Sequence, residues 1–298
     1  GTATDAANAG IGAAVALTIV HLVNRAGLGD NTTVTSNGFE AHATMTDVDG
    51  DQTHTFRAEA ASGAGSGKVG VAGSFAMNLT FTVTQAFIPA SAVVHAGTGD
   101  VALRAENHRS DTVTAKSDAT GGKVGVGASV AINPVLDNVT RAEIEDGARI
   151  SGGHHVLLEA VSSDVIVTEV TAGSAGGVPV SPAGRPTLSQ PPTIPRFCPS
   201  AAGAWQVTGG ITVRAAHEGS TTTTGNAKAA GDSVAVGAII VINVVDIATR
   251  AETLRSLTAG GAVEFAARTV TSSRAESEAS AEGTSTPSSD DENSDTQA

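Results

Sequence analysis

Tyrosine is absent from this 298-residue chain, and tryptophan and cysteine occur once each, as Trp205 and Cys198. Aromatic residues amount to 3%. A thick globular core needs large side chains to fill it. The shortage therefore argues against a conventional sandwich or α/β domain and for a thin core of Val, Ile, Leu and Ala. One cysteine excludes an internal disulfide framework. Basic residues are scarce too: 17 Lys and Arg against 30 Asp and Glu give a net charge of −13. With no Lys/Arg cluster, the composition argues against nucleic-acid binding through phosphate contacts. The excess of one sign suits a soluble, self-repelling surface. No apolar run reaches membrane-spanning length; the best candidate, Ile11 to Val23, is short and contains His21. No signal peptide is visible. The chain opens at Gly1 inside a repeat, which reads as a segment of a longer protein whose export signals and anchor lie elsewhere.

What the sequence does have is a repeat. Gly121-Gly122-Lys123-Val124-Gly125-Val126-Gly127-Ala128-Ser129-Val130-Ala131-Ile132-Asn133 returns upstream as Gly67 to Asn78 and downstream as Gly231 to Asn243, with a looser copy at Gly10 to Leu17. Lys68 to Lys123 and Asn78 to Asn133 are each 55 residues, and Asn133 to Asn243 is two such periods. Val101–Ala105, Val156–Ala160 and Ile211–Ala215 keep the same step. A fixed period of this length marks a stacked-repeat architecture.

The units run over about residues 4–65, 66–120, 121–176, 177–230 and 231–283. Within the third, Val124, Val126, Ala128, Val130 and Ile132 alternate with Gly125, Gly127, Ser129, Ala131 and Asn133. A period of two is the strand signature. Glycine is unfavourable in strand interiors, so its recurrence on one face implies a close-packed neighbour there. Asp146-Gly147 and Ser151-Gly152-Gly153 read as turns. These features predict an all-β fold, a parallel β-solenoid built from repeats of about 55 residues. With two to three coils of roughly 20 residues per unit, each adding ~4.8 Å, five units would form a rod on the order of 50–70 Å.

The fourth unit is disrupted. Residues 178–205 carry most of the prolines, the single Cys and the single Trp, yet the segment keeps the length of the period. Proline removes ladder donors and argues against a central strand. A natural proline-rich loop and a compensated frameshift both account for it. Residues 284–298, rich in Ser, Thr, Asp and Glu, read as a disordered tail.

The stretches Val124–Asn133, Asp137–Ala142, Ile144–Gly147, Ile150–Gly153 and Val156–Ala160 resemble the repeat region of large bacterial surface proteins: filamentous-haemagglutinin-like and leukotoxin-type adhesins and autotransporter passenger regions. The resemblance covers most of residues 7–283. Its motifs reflect packing more than activity. It implies a non-enzymatic, extracellular β-rod on the bacterial cell surface, acting as a stalk or adhesin toward a host or neighbouring-cell ligand or glycan, beside the rest of its own longer chain. No cofactor is implied.

Candidate chemistry is sparse. Asp47, Asp49 and Asp51 alternate around Gly50 and form a weak Ca²⁺ candidate, since hard oxygen ligands suit that ion; a solvated acidic turn is the plainer reading. His154-His155 cannot chelate together on a simple strand, where neighbours face opposite ways. Asp137, Glu143, Glu145 and Asp146 cluster as in β-helical enzymes acting on carbohydrate. The corresponding second-unit positions, Thr82, Phe87, Pro89 and Ala90, carry no acid. Arg141 and Arg250 occupy equivalent places, with Gln85 in the second unit, and suit ion pairing. Thr221 to Thr224 are consecutive rather than laddered. The glycosylation patterns at Asn31, Asn78 and Asn138 read as chance. Cys198 has no evident catalytic partner.

Overall fold

The computed structural model describes residues 2–6, 8–175, 180–189, 192–197, 205–231 and 236–283; Cys198 and the acidic tail lie outside them. All regular structure there is β, arranged as five coils. The first holds β1 (Thr2–Ala6), β2 (Ala9–Gly27), β3 (Thr33–Thr35), β4 (Phe39–Ala43) and β5 (His54–Ser66). The second holds β6 (Val69–Ile88), β7 (Val93–His95) and β8 (Val101–Gly121). The third holds β9 (Val124–Ile144), β10 (Arg149–Ser151) and β11 (Val156–Ala175). The fourth holds β12 (Val180–Ser189), β13 (Pro192–Phe197), β14 (Trp205–Val207) and β15 (Ile211–Gly231). The fifth holds β16 (Val236–Val245), β17 (Ala248–Thr249), β18 (Glu252–Thr253), β19 (Leu257–Ala259) and β20 (Val263–Gly283).

Each coil lays two long strands on two separate sheets. Sheet A runs β1-β5-β8-β11-β15-β20, with β4 also beside β8; sheet B takes β2, β6, β9, β12 with β13, and β16 in turn. Every one of these pairings is parallel, as a solenoid requires. Val101 pairs with Val156 and Val156 with Ile211, so one 55-residue period is one coil. That corrects the expected two to three coils per unit. Each period adds a single layer of ~4.8 Å, and the coil is wide instead: a strand of 20 residues spans about 66 Å. The predicted solenoid holds, but flattened and short along its axis.

The coil is narrow at one end and wide at the other. At the narrow end sheets A and B meet through tight turns such as Gly121-Gly122-Lys123. A Cβ on Gly125 would lie 2.2 Å from the Ala175 carbonyl oxygen, and one on Gly127 would lie 2.0 Å from that of Gly173. The two backbones are in contact, so Gly, Ala and Ser fill the interior, while Val124, Val126 and Ile132 point outward and stay partly exposed. At the wide end the short strands β3, β7 and β10 insert a third wall. Ile88, Leu103, Ile144, Leu158, Ile211 and Trp205 fill the space this opens. Gly152 and Gly153, both at positive φ, turn the chain from that wall into β11.

Two irregularities follow from local sequence. Strand β9 carries one residue more than β6: Val135 pairs with Thr80 and Asp137 with Phe81, leaving Leu136 as a bulge. Asp137 therefore stands beside Phe81 rather than Thr82. Inward residues of β9 are odd-numbered before the bulge and even-numbered after it, so the core face is kept. The proline-rich segment, expected to be irregular, supplies two parallel strands in its described part. Its cost is visible on one side only. β12 pairs with β16 at every position from Val180 to Ser189, but with β9 it lacks partners at 181–182 and 185–186. Pro182 and Pro186 are an even step apart, so their missing N–H groups face the same neighbour.

Candidate functional site

The structure separates most of the residues that the sequence singled out. Asp47, Asp49 and Asp51 lie in an insertion: the offset between β4 and β8 is 62 residues (Phe39 to Val101) and that between β5 and β8 is 55 (His54 to Arg109). Asp47 Oδ1 accepts the Gly50 N–H at 2.7 Å and Asp51 Oδ1 accepts the Thr53 N–H at 2.7 Å. Both carboxylates thus stabilise their own loop, and Asp49 sits at positive φ. Among the described residues no three acidic, His or Cys side chains converge to hold a metal.

Glu143 meets Arg141 at 3.1 Å and lies 3.9 Å from Arg196, which is itself 3.9 Å from Glu252. This ladder of alternating charge crosses three coils. Glu145 Oε2 accepts the Ala90 N–H of the adjacent coil, and the Asp137 side chain lies outside the described residues. Of these acids, Glu143 is thus engaged by arginine and Glu145 by a backbone amide. His154 and His155 lie in the turn before β11, not on the strand, and their rings are 4.0 Å apart. His155 Nδ1 accepts the Gly210 N–H at 3.0 Å. Asn78 and Asn138 are buried, which removes them as glycan acceptors.

Between the narrow and wide ends the interior is polar. Along β8 the inward positions read Leu103, Ala105, Asn107, Arg109, Asp111 and Val113. Arg109 is 1% exposed and lies 3.3 Å from Asp111 and 3.2 Å from Asp164 of the next coil. Asn138 Nδ2 donates to both Asp164 oxygens at 2.8 and 2.9 Å, and its carbonyl accepts from Asn107 and Thr82. Two carboxylates stand against one guanidinium in a buried interior. Burial, with some help from the Asp164 charge and against the pull of Arg109, pushes Asp111 up to about 6. Burial likewise holds His217 below its ordinary value.

Ser162, His217 and Asp164 have the residue types of a hydrolytic triad. The geometry differs. Ser162 Oγ is 2.8 Å and Asp164 Oδ2 is 3.8 Å from the same ring nitrogen, Nδ1. A triad needs the nucleophile on one nitrogen and the carboxylate on the other. All three groups are buried, so this is a structural belt. The sequence reading missed it. The signal was present, since Asn107, Arg109 and Asp111 share the parity of Leu103 and Val113.

The outer faces are unlike each other. On sheet A the outward side chains are mixed: Arg104 pairs with Glu159 at 2.9 Å and Arg214 with Glu264 at 3.2 Å across coils, beside apolar positions such as Leu157, Val161 and Val165. On sheet B they are apolar. Register aligns Ile11, Val71, Val126 and Val236 in one row. Val15, Phe75, Val130 and Ile240 align in another, and Leu17, Met77, Ile132 and Ile242 in a third. Val15 is 76% and Ile240 is 65% exposed. No helix among the described residues is long and apolar enough to cross a membrane.

Comparison of the chain with protein families, with characterised proteins and with solved structures finds no match.

Proposed function

We propose that this chain is a non-enzymatic structural and adhesive repeat segment of a large exported bacterial surface protein, serving for attachment or as a stalk. The observation that carries the reading is the coil-by-coil register. Each period adds one parallel strand to the same two sheets. Such a stack can be lengthened by repetition without altering the coils already present. Its terminal strands, β2 and β16 on sheet B, offer backbone edges on which further coils of a longer chain would pair. The broad, repetitive outer faces suit weak multivalent contact with a cell-surface ligand or glycan. The resemblance of the repeat to surface adhesins points the same way.

The test couples the whole chain to beads and measures retention on cultured cells and on a panel of neutral and acidic glycans. Retention that is competed by soluble chain is expected. Cleavage of an acidic polysaccharide by the chain, without retention, would overturn the reading in favour of a β-helical carbohydrate-active enzyme.

A further inference from the structure

The outer face of sheet B is the feature that neither the coil nor the polar belt explains. Its rows run across the coils without a charged side chain from Ile11 to Val23 on β2, from Val69 to Val83 on β6, and over β16; His21 is the one ionisable group in these stretches. At the wide-end rim these strands carry Arg25, Arg141 and Glu143, and at the narrow end Lys68 and Lys123 stand in the turns before β6 and β9. On β2, β6, β9 and β16, about nine residues per strand give a footprint on the order of 600 Å², and β2, β6 and β9 extend it further. Soluble monomers seldom leave a continuous apolar patch above about 300–600 Å² uncovered. A stable association buries about 800 Å² on each partner.

We propose that this face is the interface of a two-fold homodimer, with sheet B of one copy packed on sheet B of another. Three observations select a second copy. The first is size, since the patch matches what one partner of a standard interface buries.

The second is shape. On β2, β6, β9 and β16 the face is ridged: the large row through Val71 and the large row through Phe75 flank a row of small residues, Ala13, Gly73, Ala128 and Ala238. Neighbouring rows are two residues, about 7 Å, apart along each strand, and a second copy supplies rows of the same spacing. Two sheets packed in this way stand ~10 Å apart.

The third is charge. A chain of net −13 repels its own kind. Pairing through sheet B, however, sets the two charged faces of sheet A on opposite outsides, about 30 Å apart across four sheets. That exceeds the Debye length of about 8 Å at physiological salt.

Gly73 supplies the test. A Cβ there meets nothing within 4 Å, and its φ is outside the left-handed region, so Gly73→Arg fills the groove with charge without a clash inside the coil. The whole chain is examined by sedimentation at about 10 µM, above the Kd near 1 µM of a modest interface of this size. The native chain is expected at twice 29.3 kDa. Gly73→Arg should fall to a single chain with unchanged β dichroism and melting temperature. Val165→Arg, which replaces a 41%-exposed valine on the outer face of sheet A, should stay dimeric. If Gly73→Arg does not fold, Val15→Arg on the terminal strand makes the same test. A native chain that sediments as a monomer overturns the proposal. So do open-ended oligomers indifferent to both face-B variants, which would mean strand edges associate instead. Flotation of a monomer with phosphatidylcholine vesicles, lost in Gly73→Arg, also overturns it.

Discussion

The narrow and wide ends of the coil lie on the same strands, yet they bury opposite kinds of residue. On β9, Gly125 and Gly127 are inside and Val124 and Val126 are outside; at the other end of the strand, Ala142 and Ile144 are inside. The difference is sheet separation. Where the backbones touch, no side chain fits between them. Where β7 and β10 hold the sheets apart, only large side chains keep the interior dry. The polar belt of Arg109, Asp111, Asp164 and Asn138 fills the transition, where long hydrogen-bonding side chains reach across an intermediate gap. Hydrophobic-inside is thus a rule about available volume as much as about polarity.

The contrast can be broken most sharply at the belt between the two ends. Arg109→Leu leaves Asp111 and Asp164 buried without their cation and should cost about 3–5 kcal/mol, read as loss of the native transition or a large fall in urea midpoint. The two ends should then fail in crossed ways. Leu158→Ala at the wide end opens a cavity and costs about 2–5 kcal/mol. Gly127→Val at the narrow end does the reverse, driving the sheets apart at about 1–3 kcal/mol or more. Tolerance of both Leu158→Ala and Gly127→Val would show the two ends to be interchangeable.

A smaller effect concerns pH. Asp111 titrates near 6 in the fold against 3.8 as its ordinary value, so the folded state holds the proton more tightly. Its contribution is full below about pH 3.8 and is lost as pH rises through about 6, on the order of 3 kcal/mol in all. Asp111→Asn should flatten that part of a stability-versus-pH curve. His217 acts in the opposite sense: its lowered value means stability present above pH 6.5 and lost as pH falls below it. His217→Gln should remove the second slope and leave the first. The smallest change expected is Val126→Thr on the outer side of the narrow end. In dilute solution it should alter unfolding free energy by less than about 0.5 kcal/mol, although it neighbours the intolerant Gly127.

Much of the architecture is legible in residue order. The 55-residue step between Lys68 and Lys123 fixes which residues stack, and the alternation from Val124 to Asn133 fixes strand and face. The glycine face implied a close neighbour, and the Gly125 and Gly127 contacts are that neighbour. The number of coils per period was not legible, because alternation counts residues along a strand and says nothing of where the chain bends. A 20-residue strand and three short ones share the same pattern. The fate of the proline segment was hidden for a related reason. A ladder lost toward β9 can be kept toward β16, and which neighbour a missing N–H faces depends on parity within the assembled sheet.

The candidate sites divide in the same way. The acidic loop at Asp47 to Asp51 was visible as composition, but its carboxylates turn back on their own backbone. The Arg109 belt went unseen, because its members come from both sheets and adjacent coils and meet only when the coil closes. Sequence alone determined the repeat, the strands and the small-residue face, since these are local and periodic. Only the tertiary structure decided which face is inside, how wide each coil is and which charges share a dry interior. Those depend on the distance between two sheets, a distance set by strands some thirty residues apart in the chain.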